Sequence, residues 1–287
     1  MFRANILPIL SNRFFLIFKT YGGRNTPVFL RFMLDKEIIR LYSHSGLCNR
    51  LRLLNSYRSM SEIEQREIEF HWVKCVQCWA TYDELFNPID GVNFVFKKHE
   101  KNRRKSRPEN SIITMNHIVG RNEDSYNKDH VAPISIDSYQ KYLLDICPID
   151  EIRKQIDGIR EELNDDYNAC HIRRTDIQTV QKKYSVDPPT DKMFMDFMGS
   201  SNKKVFLATD SEKTQSLFKR MMGDRVVTFS TIKGDGSRRW PKRTTDIQSA
   251  VVDVFCCIYS KKFMGTECSS FSQFIKDYQE GIKNERH

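Results

Sequence analysis

The sequence contains no Gly-x-x-x-x-Gly-Lys-Ser/Thr loop, which excludes ATP or GTP hydrolysis by that route. No Gly-x-Gly-x-x-Gly follows a strand-like run, which argues against a dinucleotide-dependent dehydrogenase. No Asp-x-Asp occurs anywhere, which argues against a divalent cation clamping a sugar diphosphate. Long apolar runs are also missing. The nearest, residues 5–18 (NILPILSNRFFLIF), is interrupted by Pro8, Ser11, Asn12 and Arg13, whereas a spanning helix needs roughly 20 apolar residues. No small-residue cleavage site follows it clearly, so neither a secretory leader nor a stable membrane anchor is expected. Cys75-Val-Gln-Cys78 has no second Cys-x-x-Cys and no His pair at zinc-site spacing to complete it, so no metal site is expected. Internal repeats and long low-complexity segments are absent.

What is present describes a folded chain. Its 287 residues allow one large or two ordinary domains with a sizeable core. A hydrophobic content of 39% beside 29% charged residues is that of a soluble globular protein. The net charge of +9 favours anionic partners without choosing among nucleic acid, nucleotide and acidic glycan. The eight cysteines are irregularly spaced, and several lie in apolar runs. A chain this long needs no disulfide scaffold, so reduced, buried thiols in a cytoplasmic protein are expected.

The pattern along the chain alternates strands and helices. Glu37-Ile-Ile-Arg-Leu-Tyr-Ser43 reads as a strand that runs into a glycine-containing turn at His44–Cys48. From Asn49, the residues Leu51, Leu53, Leu54, Tyr57 and Arg58 fit the first turns of a helix. Trp72–Trp79 reads as a second strand, and residues 92–96 and 111–114 as further ones. Residues 137–165 are helical in pattern, with Ile152, Ile156, Ile159 and Leu163 at helical spacing and Pro148 as a start. Strands at Asn168–Ile172 and Lys204–Thr209, a helix at Lys213–Met222 and a strand at Arg225–Ser230 open a second series. A helix at Gln248–Ile258, a short strand at Lys262–Gly265 and a helix from Ser269 close it. The architecture expected is α/β: two Rossmann-like domains facing across a ligand cleft. Its parts are an N-terminal extension (1–35), a first domain (36–145), a linker helix (146–165), a second domain (166–270) and a closing helix (271–287) that crosses back.

The richest segment is Ala169-Cys-His-Ile-Arg-Arg-Thr-Asp176, where two guanidiniums and a carboxylate leave the end of a buried strand. Open α/β sheets bind ligands outside the carboxyl ends of their strands. Arginine stays charged and matches phosphate oxygens with a planar fork, so Arg173 and Arg174 point to an anion site. Thr209-Asp210 also ends an apolar strand; Asp210 can accept from ribose hydroxyls, or Asp210 or Ser211 can cap the next helix. Thr266-Glu-Cys-Ser-Ser270 precedes the last helix, whose free N–H groups suit either a phosphate or a routine serine cap. Asp253 sits in an otherwise apolar helical run and needs a cation or a ligand hydroxyl beside it. Between the strands at 92–96 and 111–114, seven of the twelve residues Lys97–Pro108 are basic. That run reads as a nucleic-acid patch, a solvated hairpin loop or a loop steering an anionic substrate.

Taken together, His171-Ile-Arg-Arg-Thr-Asp176, Ala208-Thr-Asp210, Asp253 and Gly265-Thr-Glu-Cys-Ser-Ser-Phe-Ser272 resemble the fucosyltransferase superfamily of GT-B fold. That group comprises protein O-fucosyltransferases, core α-1,6-fucosyltransferases and nodulation fucosyltransferases. Ser45-Gly-Leu-Cys-Asn-Arg-Leu-Arg52 is similar to the family's Gly-Leu-Gly-Asn-Arg-Leu turn, and the matches run in family order from about residue 38 to 275. The resemblance implies a donor half at 166–270 and an acceptor half at 36–145. It implies that Arg173 contacts the donor diphosphate and stabilises the leaving nucleotide. Arg174, Thr209, Asp210, Asp253, Thr266, Ser269 and Ser270 would line the nucleotide, and Gly46, Asn49 and Arg50 the acceptor loop. The reaction implied is inverting and metal-independent, with no cofactor. GDP-fucose is the donor by default, UDP-xylose the alternative, and a glycan hydroxyl the acceptor. Three departures are visible: Cys48 replaces a turn glycine, Gln181 stands where the α-1,6 enzymes carry a glutamate, and Phe271 replaces a glutamine. Gln181 cannot act as a base, which leaves Asp176 and His44 as candidates. A nucleotide- or glycan-binding protein without catalysis, and a nucleic-acid-binding protein built on residues 97–107, are the competing functions. Neither a nucleic-acid partner nor a membrane anchor is expected.

Overall fold

A computed structural model of the chain describes residues 15–21, 24–30, 38–98, 112–113, 136–175, 187, 189–230 and 245–286. The chain divides into two compact units, Met1–Glu37 and Ile38–His287. The first contains an antiparallel hairpin, β1 (Phe15–Tyr21) with β2 (Arg24–Leu30), paired from Phe15↔Leu30 to Tyr21↔Arg24. Sequence reading treats this stretch only as an extension, although FLIFKTY and RNTPVFL carry the aromatic and β-branched residues that strands favour.

The second unit is built on two parallel sheets. The first joins β3 (Ile39–Ser43), β4 (Ile68–Lys74), β5 (Val92–Lys98) and β6 (Ile112–Ile113) in the order β5-β4-β3-β6. The other joins β7 (Asn168–Ile172), β8 (Val205–Thr209), β9 (Val226–Val227) and β10 (Phe263–Gly265) in the order β10-β7-β8-β9. Each order reads third-second-first-fourth, half of a doubly wound Rossmann sheet. Strand order therefore reverses between β3 and β6 in one sheet and between β7 and β10 in the other. The carboxyl edge at such a reversal is where a ligand fits. The α/β class and the Rossmann-like halves expected from the sequence are those observed.

The helices are α1 (Leu47–Glu64), α2 (Ile136–Leu143), α3 (Asp150–Glu162), α4 (Asp191–Gly199), α5 (Glu212–Met222), α6 (Ile247–Ile258) and α7 (Ser270–Glu285). The helical pattern over 137–165 is broken between Leu143 and Asp150. Pro148 has no N–H to continue a helix, and it pairs with Phe86 while Cys147 O accepts from Asn87 N at 2.9 Å. The second strand also begins at Ile68 rather than near Trp72. Ile68, Phe70 and Trp72 face the core while Glu69 binds Arg40 and His71 on the opposite face. Those charges hide the alternation from a reader of the sequence.

Both faces of the second sheet are buried, as its near-continuous apolar strands require. Ala169, Phe206 and Ala208 join the larger core with α6, whereas Cys170, Ile172, Val205 and Leu207 pack with Phe194, Met198 and Phe218 of α4 and α5. The last helix returns to the first half. Asp277 on α7 lies 3.8 Å from Arg52 and accepts from the Tyr139 hydroxyl at 3.3 Å. Gly281 lies so close to the Gln140 carbonyl that a Cβ would stand 2.8 Å from it. Cys48, Cys75, Cys78, Cys170, Cys256 and Cys257 are buried thiols outside any disulfide, and Cys147 and Cys268 are exposed. Burial pushes the thiols of Cys170, Cys256 and Cys257 upward, so those three stay neutral. Among the described residues no helix is long and apolar enough to cross a membrane.

Candidate functional site

The segment leaving β7 is fixed from both neighbouring strands by threonine hydroxyls. On one side Thr266, just past β10, accepts the Arg173 N–H at 2.9 Å and donates to the His171 carbonyl at 3.1 Å. On the other side Thr209, the last residue of β8, donates to the Ile172 carbonyl at 2.7 Å and accepts the Ser211 N–H at 3.3 Å. Both threonines are buried, so their hydroxyls serve the chain and shape the end of β7. Arg173 follows directly at the β7/β10 reversal, half-buried.

Asp210 supplies the next layer. Its carboxylate accepts the Arg174 N–H at 2.8 Å and the Thr175 hydroxyl at 2.6 Å, with the Thr175 N–H at 3.4 Å. The cap of α5 is Ser211, whose Oγ accepts from Thr214 N at 3.2 Å, so Asp210 is left to hold the arginine loop. Arg174 turns away to brace α4: its guanidinium pairs with Asp191, donates to the Pro189 carbonyl at 3.3 Å and stands 5.9 Å from the Phe194 ring centre. Asp176 and Gln181 lie outside the described residues.

The fourth element is the start of α7. Gly265 packs so tightly on it that a Cβ would stand 2.6 Å from Cβ of Ser272. Ser272 Oγ is hydrogen-bonded to His171 Nδ1 at 2.7 Å, and Phe271 stacks on the His171 ring with centroids 4.2 Å apart. Burial first, and the Arg173 charge second, depress the His171 pKa to about 3, so the ring is neutral. Cys268 adopts φ +58° ahead of the helix. Ser269 occupies the cap position without making the usual cap bond, and its Oγ is buried with no partner among the described residues. A buried orphan hydroxyl costs about 1–3 kcal/mol unless a ligand meets it. Ser270 begins the helix, half-buried. Asp253 lies half-buried midway along α6 and raises the neighbouring thiols of Cys256 and Cys257.

The first sheet carries the other expected residues at its own reversal point. His44 follows β3, half-buried, and its carbonyl accepts from Cys75 Sγ at 3.0 Å. Gly46 is the N-cap position of α1, and among the described residues a methyl added there would meet nothing within 4 Å. Asn49 has a buried Oδ1 with no partner among the described residues. Arg50 is entirely buried: Nε donates to the Ser45 carbonyl at 2.6 Å, and Nη2 donates to Val73 O at 2.8 Å and Cys75 Sγ at 3.2 Å. Its guanidinium also lies 4.7 Å from the Trp72 ring centre, and burial lowers its pKa. Arg50 thus ties the loop after β3 to the end of β4. Cys48, replacing the turn glycine, is buried in the first turn of α1.

The structure therefore gathers Arg173, Arg174, Thr209, Asp210, Thr266, Ser269 and Ser270 at the end of the second sheet, and His44, Gly46, Asn49 and Arg50 at the end of the first. Sequence reading missed Thr175 and Asp191, the partners of Asp210 and Arg174, and the His171–Ser272 bond. The Thr175-Asp176 pair beside Arg174 was the available signal for the first of these; long-range partners such as Asp191 leave none.

No protein-family model matches the chain. No curated protein matches it in sequence. Among solved structures it is similar to NodZ alpha-1,6-fucosyltransferase soaked with GDP-fucose, with 15% identity and a TM-score of 0.54 over 84% of this chain and 92% of that one. The fucosyltransferase NodZ from Bradyrhizobium is also similar, with 15% identity and a TM-score of 0.52 over 83% and 92% of the two chains. POFUT1 in complex with GDP gives 12% identity and a TM-score of 0.53 over 86% and 95%. The α/β fold of this chain is thus the GT-B fold of the NodZ and POFUT1 fucosyltransferase structures.

Proposed function

We propose that this protein is a glycosyltransferase that moves fucose from GDP-fucose to a hydroxyl of a glycan, with inversion and without a metal. The observation that carries this reading is the convergence on one strand end: Thr266, Asp210 and the start of α7 all fix the backbone or the surroundings of Arg173. Two of the similar structures bear GDP or GDP-fucose by their own descriptions, which supports a guanine nucleotide sugar as the donor. In sugar transfer the bond to the diphosphate breaks through an oxocarbenium-like state, and negative charge grows on the leaving phosphate. The Arg173 guanidinium, carried on a backbone held by Thr266, and the N-terminal N–H groups of α7 stabilise that charge, and the orphan hydroxyl of Ser269 gains a phosphate oxygen as partner. The metal-free part of the reading rests on the missing Asp-x-Asp and on positive charge supplied by the protein itself. In this scheme the first sheet presents the acceptor near Gly46 and Asn49, and either His44 or Asp176 takes its proton.

The test is a thermal-shift and turnover panel with GDP-fucose, GDP, UDP-xylose and UDP in EDTA. Stabilisation by GDP, with slow donor hydrolysis, is expected. Arg173→Ala should cost about 3 kcal/mol in turnover, roughly a hundredfold. Unchanged turnover in that variant would sink the assignment, selective stabilisation by UDP-xylose would move the donor, and loss of turnover in EDTA would remove the metal-free step.

A further inference from the structure

We propose that Cys75 and Cys78 form a reversible disulfide that loosens the loop after β3. That this loop serves the acceptor rests on the transferase reading; the disulfide and its effect on the loop do not.

The turn that ends β4 places the two cysteines for this bond. Cys75 N donates to Cys78 O at 3.1 Å and Cys78 N donates to Cys75 O at 2.9 Å, which closes a hairpin over Val76 and Gln77. Residues paired by both backbone bonds stand about 5.5 Å apart at Cα and project to the same side, and a disulfide spans about 4.4–6.8 Å. Both side chains also meet one guanidinium. Arg50 Nη2 donates to Cys75 Sγ at 3.2 Å, and the same charge acts on Cys78. Arg50 is entirely buried, and its Nη1 has no partner among the described residues. A cation with an unmet donor accommodates negative charge on sulfur during exchange and repels a metal ion from the pair.

In the dithiol state Cys75 acts as a clasp. Its S–H donates to the His44 carbonyl at 3.0 Å, while Arg50 donates to the Ser45 carbonyl at 2.6 Å and to the Val73 carbonyl at 2.8 Å. One thiol and one guanidinium thus tie the loop carrying His44 and Gly46 to the end of β4. A disulfide has no proton to donate, so forming it releases the His44 carbonyl and leaves the tie through Arg50 alone.

The oxidant is a small disulfide, with oxidised glutathione as the probe. Cys75 is 5% exposed at the foot of a turn whose Val76 is 62% exposed, whereas Cys78 has no exposed surface, so Cys75 reacts first. Its sulfur attacks the probe, forms a mixed disulfide and releases one glutathione. The sulfur of Cys78 then attacks that of Cys75, closes the ring and releases the second glutathione. The two cysteine protons end on the two glutathiones; the cysteine pair loses two electrons and the probe gains them.

Both cysteines fall in one tryptic peptide, Cys75–Lys97, so an internal disulfide shows as the loss of two hydrogens and of both alkylation sites. The probe is raised until Cys147 or Cys268, both exposed, carries glutathione. The full chain is then divided among peptide mapping, hydrogen exchange and thermal shift with GDP. The disulfide should form in the folded chain and reopen with dithiothreitol. Amide exchange over residues 44–50 should speed about fivefold, the scale of one lost hydrogen bond, while exchange over 266–275 and the GDP shift stay as they were. Cys75→Ser keeps a donor for His44 and should exchange like the reduced chain in either buffer, whereas Cys75→Val should exchange like the oxidised one. Thiols at 75 and 78 that stay alkylatable, a glutathione adduct without ring closure, or a disulfide that leaves 44–50 unchanged would overturn the proposal. Those readouts come from wild type, so poor folding of a variant cannot mask them. Absence of a GDP shift in the reduced chain sinks the transferase reading instead, and leaves the result for the disulfide standing.

Discussion

Gly265→Ala tests the close seating of α7 on the end of β10. The added Cβ would stand 2.6 Å from both Cβ and Oγ of Ser272 and 2.9 Å from Phe263 Cε1. Carbon atoms pack best at about 3.5–4.0 Å, so about 1 Å must be found. Ser272 cannot swing clear, because the clashing Cβ is rooted on the helix and its Oγ is bonded to His171. The start of α7 must therefore move relative to β7 and β10. Overpacking of this kind costs about 1–3 kcal/mol, which lowers the unfolding midpoint by about 2–10 °C. Donor turnover should fall further than stability, about a hundredfold, because the same shift carries Ser269 and Ser270 away from Arg173. Gly199→Ala is the control: among the described residues nothing lies within 4 Å of its added methyl, and its midpoint should stay within about 1 °C of wild type or rise. Removing the obstacle in Gly265→Ala/Ser272→Gly should recover part of the lost turnover. A Gly265→Ala protein that unfolds and turns over like wild type would refute the claim that this contact sets the site.

Two other perturbations read the same construction. His171 has its folded pKa depressed to about 3, so the native state binds fewer protons than the unfolded chain; the stability it confers is complete above pH ~6.5 and falls as pH drops from there towards 3, by up to ~1.4 kcal/mol per unit. His171→Asn should flatten that part of the stability–pH curve in chemical denaturation, and an unchanged slope would assign it to other groups. Asp210→Asn keeps the shape of the side chain but gives up charge-assisted acceptance from Arg174 N and Thr175 Oγ1, so it should cost about 1.5–3 kcal/mol and weaken GDP binding roughly tenfold. If neither calorimetry nor GDP titration moves, the carboxylate does not hold the arginine loop.

Much of the fold was legible because parallel strands buried on both faces write themselves as apolar runs. Asn168–Ile172 and Val205–Thr209 are such runs, and each ends in the polar residues that face the sheet edge. Ile68–Lys74 was harder, since Glu69 and His71 interrupt it for the sake of Arg40 on the opposite face. The site residues were legible as types and positions and not as roles. Thr209 and Thr266 look like ligand hydroxyls in the sequence, yet each is consumed by backbone groups of the β7 segment. Their partners lie 37 and 93 residues away, a pairing that only the strand order β10-β7-β8 brings about.

That strand order also separates two arginines that the sequence leaves equivalent. β7 is flanked by β8 and β10, so the segment leaving it has a neighbour on either side. Arg173 is tied by its N–H to the β10 side, where strand order reverses and the start of α7 lies close by; Arg174 is tied by its N–H to Asp210 on the β8 side and by its guanidinium to Asp191 at the start of α4. The second arginine therefore neutralises a structural carboxylate, and in the proposed reaction the first meets the diphosphate. A double-mutant comparison follows from this division. Arg174→Ala should lower stability and leave an Asp191→Ala change with little further effect, whereas Arg173→Ala should lower donor turnover whether or not Asp191 is present.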